Sequence, residues 1–236
     1  MHAGKGDLAA LISDLVSGQL AGAPIREYVL LLQEAVQCGS TDRCGADLVR
    51  SARAQMLHVF YSPVRPTRGG TSGNAIVATR PLIDPHAIDL PRVRQPRSAL
   101  VSRIEIGGLT LFLLDAHLEN RVSWLRGGLF SDRARGRQVD ALLHAVPGSG
   151  AAIVGGDLNT WLGASEPAWK RLAARFPNTI EPTEPTFRDR LTLDHLFYDL
   201  PEGWSATQFV TQSRYGSDHH PVIALVVNPS DARRAP

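Results

Sequence analysis

Five stretches of the chain set an acid, an amide or a histidine at the end of an apolar run, which is how a sheet carries polar chemistry at its rim. Leu30-Leu-Leu-Gln-Glu34 ends in a carboxylate and Leu113-Leu-Asp-Ala-His117 in an imidazole. Ile153-Val-Gly-Gly-Asp-Leu-Asn159 ends in a carboxylate and an amide, and Leu193-Asp-His195 holds an acid inside an apolar stretch. Gly216-Ser-Asp-His-His-Pro221 precedes the last apolar run, Val222–Val227. Any one of these reads as a cap or a solvated group. Together they read as a site.

The spacing suggests particular chemistry. Residues two apart in an extended segment point the same way, so Asp115 and His117 share a face, as do Asp157 and Asn159. Gly155 and Gly156 remove side chains just before that pair, which would let a ligand approach the backbone. An acid beside an amide, with Glu34 near, is a hard-oxygen set suited to Mg²⁺ that keeps several waters. His219, beside Asp218, can stabilise charge on a phosphoryl oxygen if a second carboxylate fixes its tautomer. Asp194 lies among Leu191, Leu193, Leu196 and Phe197, so it needs a partner, and His219 is the candidate.

The positioning elements can be read from periodicity. Leu8, Leu11, Ile12, Leu15 and Val16 predict a helix from Asp7 to Leu20, ended by Gly22 and Pro24. Apolar runs predict strands at Tyr28–Leu32, Asn74–Ala78, Ala99–Ile106, Leu109–Leu114, Ala151–Val154, Leu191–Tyr198 and Val222–Val227, with a hairpin turn at Gly107-Gly108. Helices are expected over Gly45–Val59, Arg133–Val146 and Trp169–Phe176. No linker divides the chain, so one α+β or layered α/β/β/α domain is expected.

Composition narrows the classes. A formal net charge of +2 makes any nucleic-acid affinity a matter of local clustering. Only Lys5 and Lys170 among the 25 basic residues are lysine; the arginine excess suits phosphate contacts but equally reflects a GC-rich genome. Two cysteines, Cys38 and Cys44, exclude a four-cysteine zinc site and leave a small-loop disulfide or two thiols open. No apolar run is long enough for a transmembrane helix, and the N-terminus as written is no signal peptide. The cytoplasm is therefore the default compartment, with secretion following if the natural start lies upstream. A serine hydrolase lacks its G-x-S-x-G elbow, and a zinc enzyme using His219, His220, Asp157 and His195 lacks H-E-x-x-H or Cys/His spacing.

The ordered series LLLQE, SGNAIVATRPL, LDAHLE, GGDLNT, LDHLFY and GSDHHPV resembles the endonuclease/exonuclease/phosphatase superfamily, which includes pancreatic-type deoxyribonucleases, abasic-site endonucleases, bacterial sphingomyelinases and inositol-polyphosphate phosphatases. The resemblance implies a four-layer α/β/β/α sandwich of two mainly antiparallel sheets flanked by helices. This domain would span residues 28–228, after an N-terminal helix and lead-in (1–27) and before a polar tail (229–236). It also implies a Mg²⁺-dependent phosphoesterase, with Mn²⁺ as a substitute, that attacks a phosphodiester or phosphomonoester in line. Glu34 would hold the metal with Asp218 beside it, and Asp157 would orient or deprotonate the water. Asn159 and His117 would bind the scissile phosphate, Asp194 would orient His219, and His219 would stabilise the transition state. Asn74 and Arg80 would lie on the substrate side.

A nuclease-like substrate stands first, with sphingomyelinase or inositol-phosphate phosphatase activity, or phosphate binding without turnover, as alternatives. Nucleic acid is thus an expected partner only as substrate, and no feature points to a protein partner. Arg121–Arg137, with Trp124, Arg126, Arg133 and Arg135, reads as a nucleic-acid groove or as a solvated helix face. Trp161 and Trp169 read as a membrane-facing pair or as core.

The chain departs from the family in one respect. Members begin with a strand carrying an Asn, and no such strand or Asn stands upstream of Glu34. The expected consequence is an open edge or groove beside Tyr28–Leu32, with Glu34 short of an amide neighbour.

Overall fold

Apolar side chains alternate between the two faces of most strands, and that alternation stacks the chain into four layers. The structure is a computed structural model, and it describes residues 5–39, 47–120, 129–181 and 183–228. Helix α1 (Leu8–Ser17) is capped by the Asp7 carboxylate, which accepts from Ala10 N–H, and it stops at Gly18 in the left-handed region. Strand β1 (Val29–Cys38) follows, then α2 (Leu48–Ala54), β2 (His58–Thr67) and β3 (Gly70–Ala78). The three strands form an antiparallel sheet in the order β1-β3-β2.

The second sheet is β4 (Leu82–Asp89), β5 (Ser98–Ile106), β6 (Leu109–His117), β7 (Ala151–Asp157) and β8 (Asp194–Asp199), paired in that order. It is antiparallel except for β6 and β7, which are parallel and joined through α3 (Leu129–Ala145). Helix α4 (Pro167–Arg175) precedes β8, and β9 (Ser205–Val210) and β10 (Val222–Val227) form a separate antiparallel pair.

Three cores separate the layers. Leu8 and Ile12 of α1, with Leu48 and Ala52 of α2, cover Leu32, Ala75 and Val77 of the small sheet. The opposite face of that sheet, through Ile76 and Ala78, meets Leu100, Ile104, Leu111 and Leu113 of the large one. Leu142 of α3 and Leu172 of α4 cover Val101, Leu114 and Val154 on the outer side.

Several expectations change. The helix expected over 45–59 ends at Ala54, because Val59, Phe60 and Tyr61 favour a strand and β2 starts at His58. Strands β2, β4 and β9 escaped the sequence reading. β4 is exposed along most of its length, contains Pro85 and pairs on one side only, so its side chains carry little alternation; β9 is short and also pairs on one side only.

The expected opening is present. Among the described residues nothing pairs with the outer edge of β1 or of β10, and a groove of about 450 Å³ runs between them, lined by Leu30, Leu31, Val222 and Ala224 among others.

Arg135 corrects the reading of Arg121–Arg137. It is fully buried: its guanidinium forms a fork with Glu166, Nε to Oε2 at 2.7 Å and Nη2 to Oε1 at 2.8 Å, and Nη1 donates to the Glu119 carbonyl. Arg133 and Arg137 on the same helix are exposed, and Arg121, Trp124 and Arg126 lie outside the described residues. Arg135→Met alone should cost about 3–5 kcal/mol because it strands the buried Glu166 carboxylate. Adding Glu166→Leu should recover much of that loss, as read by urea unfolding of both variants. Trp169 is core-facing, edge-on to Phe197, with its indole N–H on Glu181. Cys38 is disulfide-bonded, whereas Cys44 and the tail lie outside the described residues.

Candidate active site

The inter-sheet faces turn from apolar to polar at one end of the sandwich. On β6, Leu111 and Leu113 lie in the inter-sheet core, and Asp115 and His117 continue the same face. On β7, Ile153 is followed by Gly155 and Asp157. Register then sets one residue per strand side by side: His117 lies opposite Asp157, and Asp157 opposite Asp194. Ala99 pairs with Ala116, which brings Ser98 beside His117.

Asp157 is buried. Its Oδ2 lies 3.4 Å from His117 Nε2, and its Oδ1 accepts the Asn159 N–H at 3.0 Å. Burial, then the Asp194 charge, lift its pKa to about 7 against the opposing pull of His219. Burial and then the Arg97 charge hold His117 well below the ordinary histidine value, so it is neutral at pH 7. His219 Nδ1 lies 2.6 Å from Asp194 Oδ2, which fixes the proton on Nδ1. Burial works against charge on this ring, but the Asp194 hydrogen bond and charge outweigh it and raise the pKa. The ring rests on Phe187 at 4.7 Å, and Trp161 meets Phe187 edge-on at 6.1 Å.

Glu34 reaches the site through a bulge. The β1–β3 register shifts between Leu32 and Ala35, and Glu34 takes φ 53°. It shares a pocket with Arg65, Asn74, Arg97, Ser98 and His117, and its Oε1 lies 3.7 Å from the Arg65 guanidinium. Asn74, whose amide donates to the Ser98 carbonyl, is therefore an amide near Glu34 supplied by β3.

Arg65, Arg97 and Ser98 were not singled out from sequence. Arg97 Nε and Ser98 Oγ are buried donors with no partner among the described residues, and both residues line this pocket. Two such donors call for an acceptor oxygen. The usable signal was Gln95-Pro-Arg-Ser-Ala-Leu100, a polar pair at a strand start, which is the same pattern inverted. Glu119 holds the loop before it by accepting from the Arg94 and Gln95 amides. Arg97→Ala should raise KM about tenfold or more and change kcat less, because a bound phosphoryl oxygen loses a charged partner in the ground state as well. Steady-state kinetics on a phosphate ester decides it, with Arg97→Lys recovering part of the loss.

Several expected placements differ. Asn159 does not continue the strand: it sits past β7 at φ 52°, and its amide turns back to the Leu118 carbonyl at 3.2 Å. Gly155 and Gly156 are needed for packing rather than ligand approach. A Cβ on Gly156 would stand 2.0 Å from the Ala116 carbonyl, and one on Gly155 2.3 Å from Leu196. Asp194 opens β8 rather than lying mid-strand, with its N–H on Thr186 Oγ1. Arg80 is bound to Glu27 on the surface, past the end of β3, and does not line the pocket that holds Asn74. Asp218 is absent from the pocket that Glu34 lines, though its charge reaches the His219 ring. His195 is held between Glu181 and Thr160, and His220 between the Thr211 carbonyl and Asp189.

A carboxyl that titrates near neutrality, an imidazole in the loop before β10 whose pKa a neighbouring carboxylate raises, and a pocket of anion donors are a set for moving a proton beside a phosphoryl group. Comparison with known proteins agrees in kind. A family model described as the Endonuclease/Exonuclease/phosphatase family matches residues 2–219. A UPF0294 protein of Vibrio vulnificus strain YJ016 is 30% identical over 149 residues, 60% of this chain and 48% of that protein. The chain thus spans about half the length of the curated relatives it matches. Among solved structures, an endonuclease/exonuclease/phosphatase from Beutenbergia cavernae superposes with TM-score 0.65 at 18% identity, covering 84% of this chain and 62% of that one. The human Nocturnin catalytic domain with bound sulfate superposes with TM-score 0.64 at 20% identity, covering 96% and 89%.

Proposed function

Because this chain belongs to the endonuclease/exonuclease/phosphatase family, we propose that it is a Mg²⁺-dependent phosphoesterase that hydrolyses a phosphodiester or phosphomonoester, nuclease-like in its first activity. The observation that carries this reading is the row His117–Asp157–Asp194, with His219 bound to Asp194, set beside a pocket of unpartnered donors. Arg97, Ser98 and Arg65 bind the non-bridging oxygens of the substrate phosphate. Asp157 takes a proton from the attacking water, and its buried carboxyl, with a pKa near 7, is matched to that task. His219, oriented by Asp194, which also raises its pKa, donates in its protonated form from Nε2 to the phosphoryl oxygen as charge develops. His117, neutral and 3.4 Å from Asp157, positions that carboxylate.

Mg²⁺, or Mn²⁺ in its place, fits this site in a water-rich mode only. Among the described residues no three His, Cys, Asp or Glu side chains gather as a metal cage, but Mg²⁺ needs only one or two carboxylates. Glu34, aimed into the pocket by its bulge, is the carboxylate that would hold it. When bound, the ion supplies positive charge against the phosphate oxygens.

A substrate screen tests the reading: purified protein with Mg²⁺, Mn²⁺ or EDTA against plasmid DNA, bis-p-nitrophenyl phosphate, sphingomyelin and inositol phosphates. Metal-dependent cleavage of the first two is expected. Cleavage indifferent to EDTA would remove the metal, and phosphate binding without any cleavage would remove turnover.

A further inference from the structure

His219 is delivered by the loop 211–221, which runs from β9 into β10, whereas Glu34 and Asn74 stand on the small sheet that α1 covers. The neck of the loop is closed by Thr211, whose N–H donates to the Pro221 carbonyl at 3.0 Å and whose hydroxyl donates to the Ser213 carbonyl at 2.7 Å. Past the neck, Ser217 N–H donates to the Arg214 carbonyl and His219 N–H to Ser217 Oγ, a tight turn that ends on the imidazole.

At the tip of this turn Tyr215 takes φ 47° and Gly216 φ 75°. A tyrosine in the left-handed region is strained, and it stays there only where its surroundings hold it. Here α1 holds it. The Tyr215 carbonyl accepts from the Asp7 N–H at 2.6 Å, at the helix cap, and the Tyr215 hydroxyl donates to Asp14 Oδ2 at 2.8 Å, about two helical turns further along. Gly216 lies so close that a Cβ on it would stand 2.5 Å from the Lys5 carbonyl. Burial, then the hydrogen bond and charge of Asp14, push the Tyr215 phenol up to about 12, so it keeps its proton and remains a donor throughout the neutral range. A shift of this tip carries along the turn to the imidazole, which sits between Asp194 at 2.6 Å and the Phe187 ring at 4.7 Å. Neither Tyr215 nor Asp14 lines the anion pocket.

We propose that Tyr215 is a positioning residue for His219: docked on Asp7 and Asp14 of α1, it sets the loop so that Nδ1 meets Asp194 and Nε2 faces the phosphoryl oxygen. Its part in turnover rests on the phosphoesterase reading; the placement of the ring stands apart from it. Tyr215→Phe and Asp14→Ala are each expected to lower kcat on bis-p-nitrophenyl phosphate about tenfold and to leave KM within about twofold, because the ring is misplaced and the anion pocket is not. The double variant should lose no more than either alone, and Asp14→Asn, which keeps an acceptor oxygen for the phenol, should recover most of the loss. Long-range ¹H–¹⁵N spectra of the metal-free protein at alkaline pH read the ring directly. In the wild type the proton of the neutral ring sits on Nδ1; in Tyr215→Phe and Asp14→Ala part of it moves to Nε2. Wild-type protein without turnover would remove the phosphoesterase reading and leave the spectra to decide the placement. Unchanged kcat in an active protein, losses that multiply in the double variant, or an unmoved His219 tautomer would overturn the proposal.

Discussion

Asp157→Asn should lower kcat by about 10³-fold or more and at the same time raise thermal stability at pH 8. The first effect follows from removing the proton acceptor while keeping its shape. The amide oxygen that replaces Asp157 Oδ1 can still accept the Asn159 N–H, so the turn after β7 survives. The second effect follows from linkage. The folded carboxyl titrates at about 7, against about 4 in an unfolded chain. The folded state therefore holds the proton over that interval, and the resulting stability is full below about pH 4 and lost as pH rises through about 7. An amide has no such loss. In EDTA that interval of about three pH units amounts to about 4 kcal/mol at pH 8, so a Tm gain on the order of 10 °C is expected there, at about 2–4 °C per kcal/mol for a chain of this size, and none at pH 4. A structural role alone gives the opposite sign: lower Tm at both pH values. Activity within about tenfold of wild type would move the base elsewhere, with Asp218 the next carboxylate to test.

The second large effect is a coupling. Asp194→Ala and His219→Ala should each cost about 10²–10³ in kcat, and the double variant should cost little more than either. The reason is the 2.6 Å bond, which fixes the Nδ1 tautomer and raises the pKa of the ring. Without Asp194 the imidazole loses the group that raises its pKa, and the alkaline limb of the pH–rate profile should move down. Losses that multiply in the double variant would mean that the two residues act separately.

The layered fold was legible because its strongest signals are local. The face of α1 follows from periodicity, β5, β6 and β10 from continuous apolar runs, and the Gly107-Gly108 hairpin from turn chemistry. The closeness of Asp194 to His219 was legible for a different reason: an acid among leucines needs a partner, and few candidates existed. The glycines before Asp157 and the turn at Asn159 were misread, because both depend on what crosses from the neighbouring strand. The Ala116 carbonyl excludes a Cβ at Gly156, and the Leu118 carbonyl captures the Asn159 amide. Arg135 shows the same limit. Its neighbours Arg133 and Arg137 are exposed, and only the position of Glu166, 31 residues on, makes it internal. The open edge beside β1 was foreseen only because the resemblance supplied a strand to miss.

The most direct measurement of the central claim is the fate of oxygen in hydrolysis run in H₂¹⁸O. The protein is incubated with Mg²⁺ and bis-p-nitrophenyl phosphate, and both products are analysed by mass spectrometry. Attack of water at phosphorus under Asp157 predicts one ¹⁸O per turnover in p-nitrophenyl phosphate, none in p-nitrophenol, and no product above background from Asp157→Asn. Label in the phenol, or full turnover by Asp157→Asn, would contradict it.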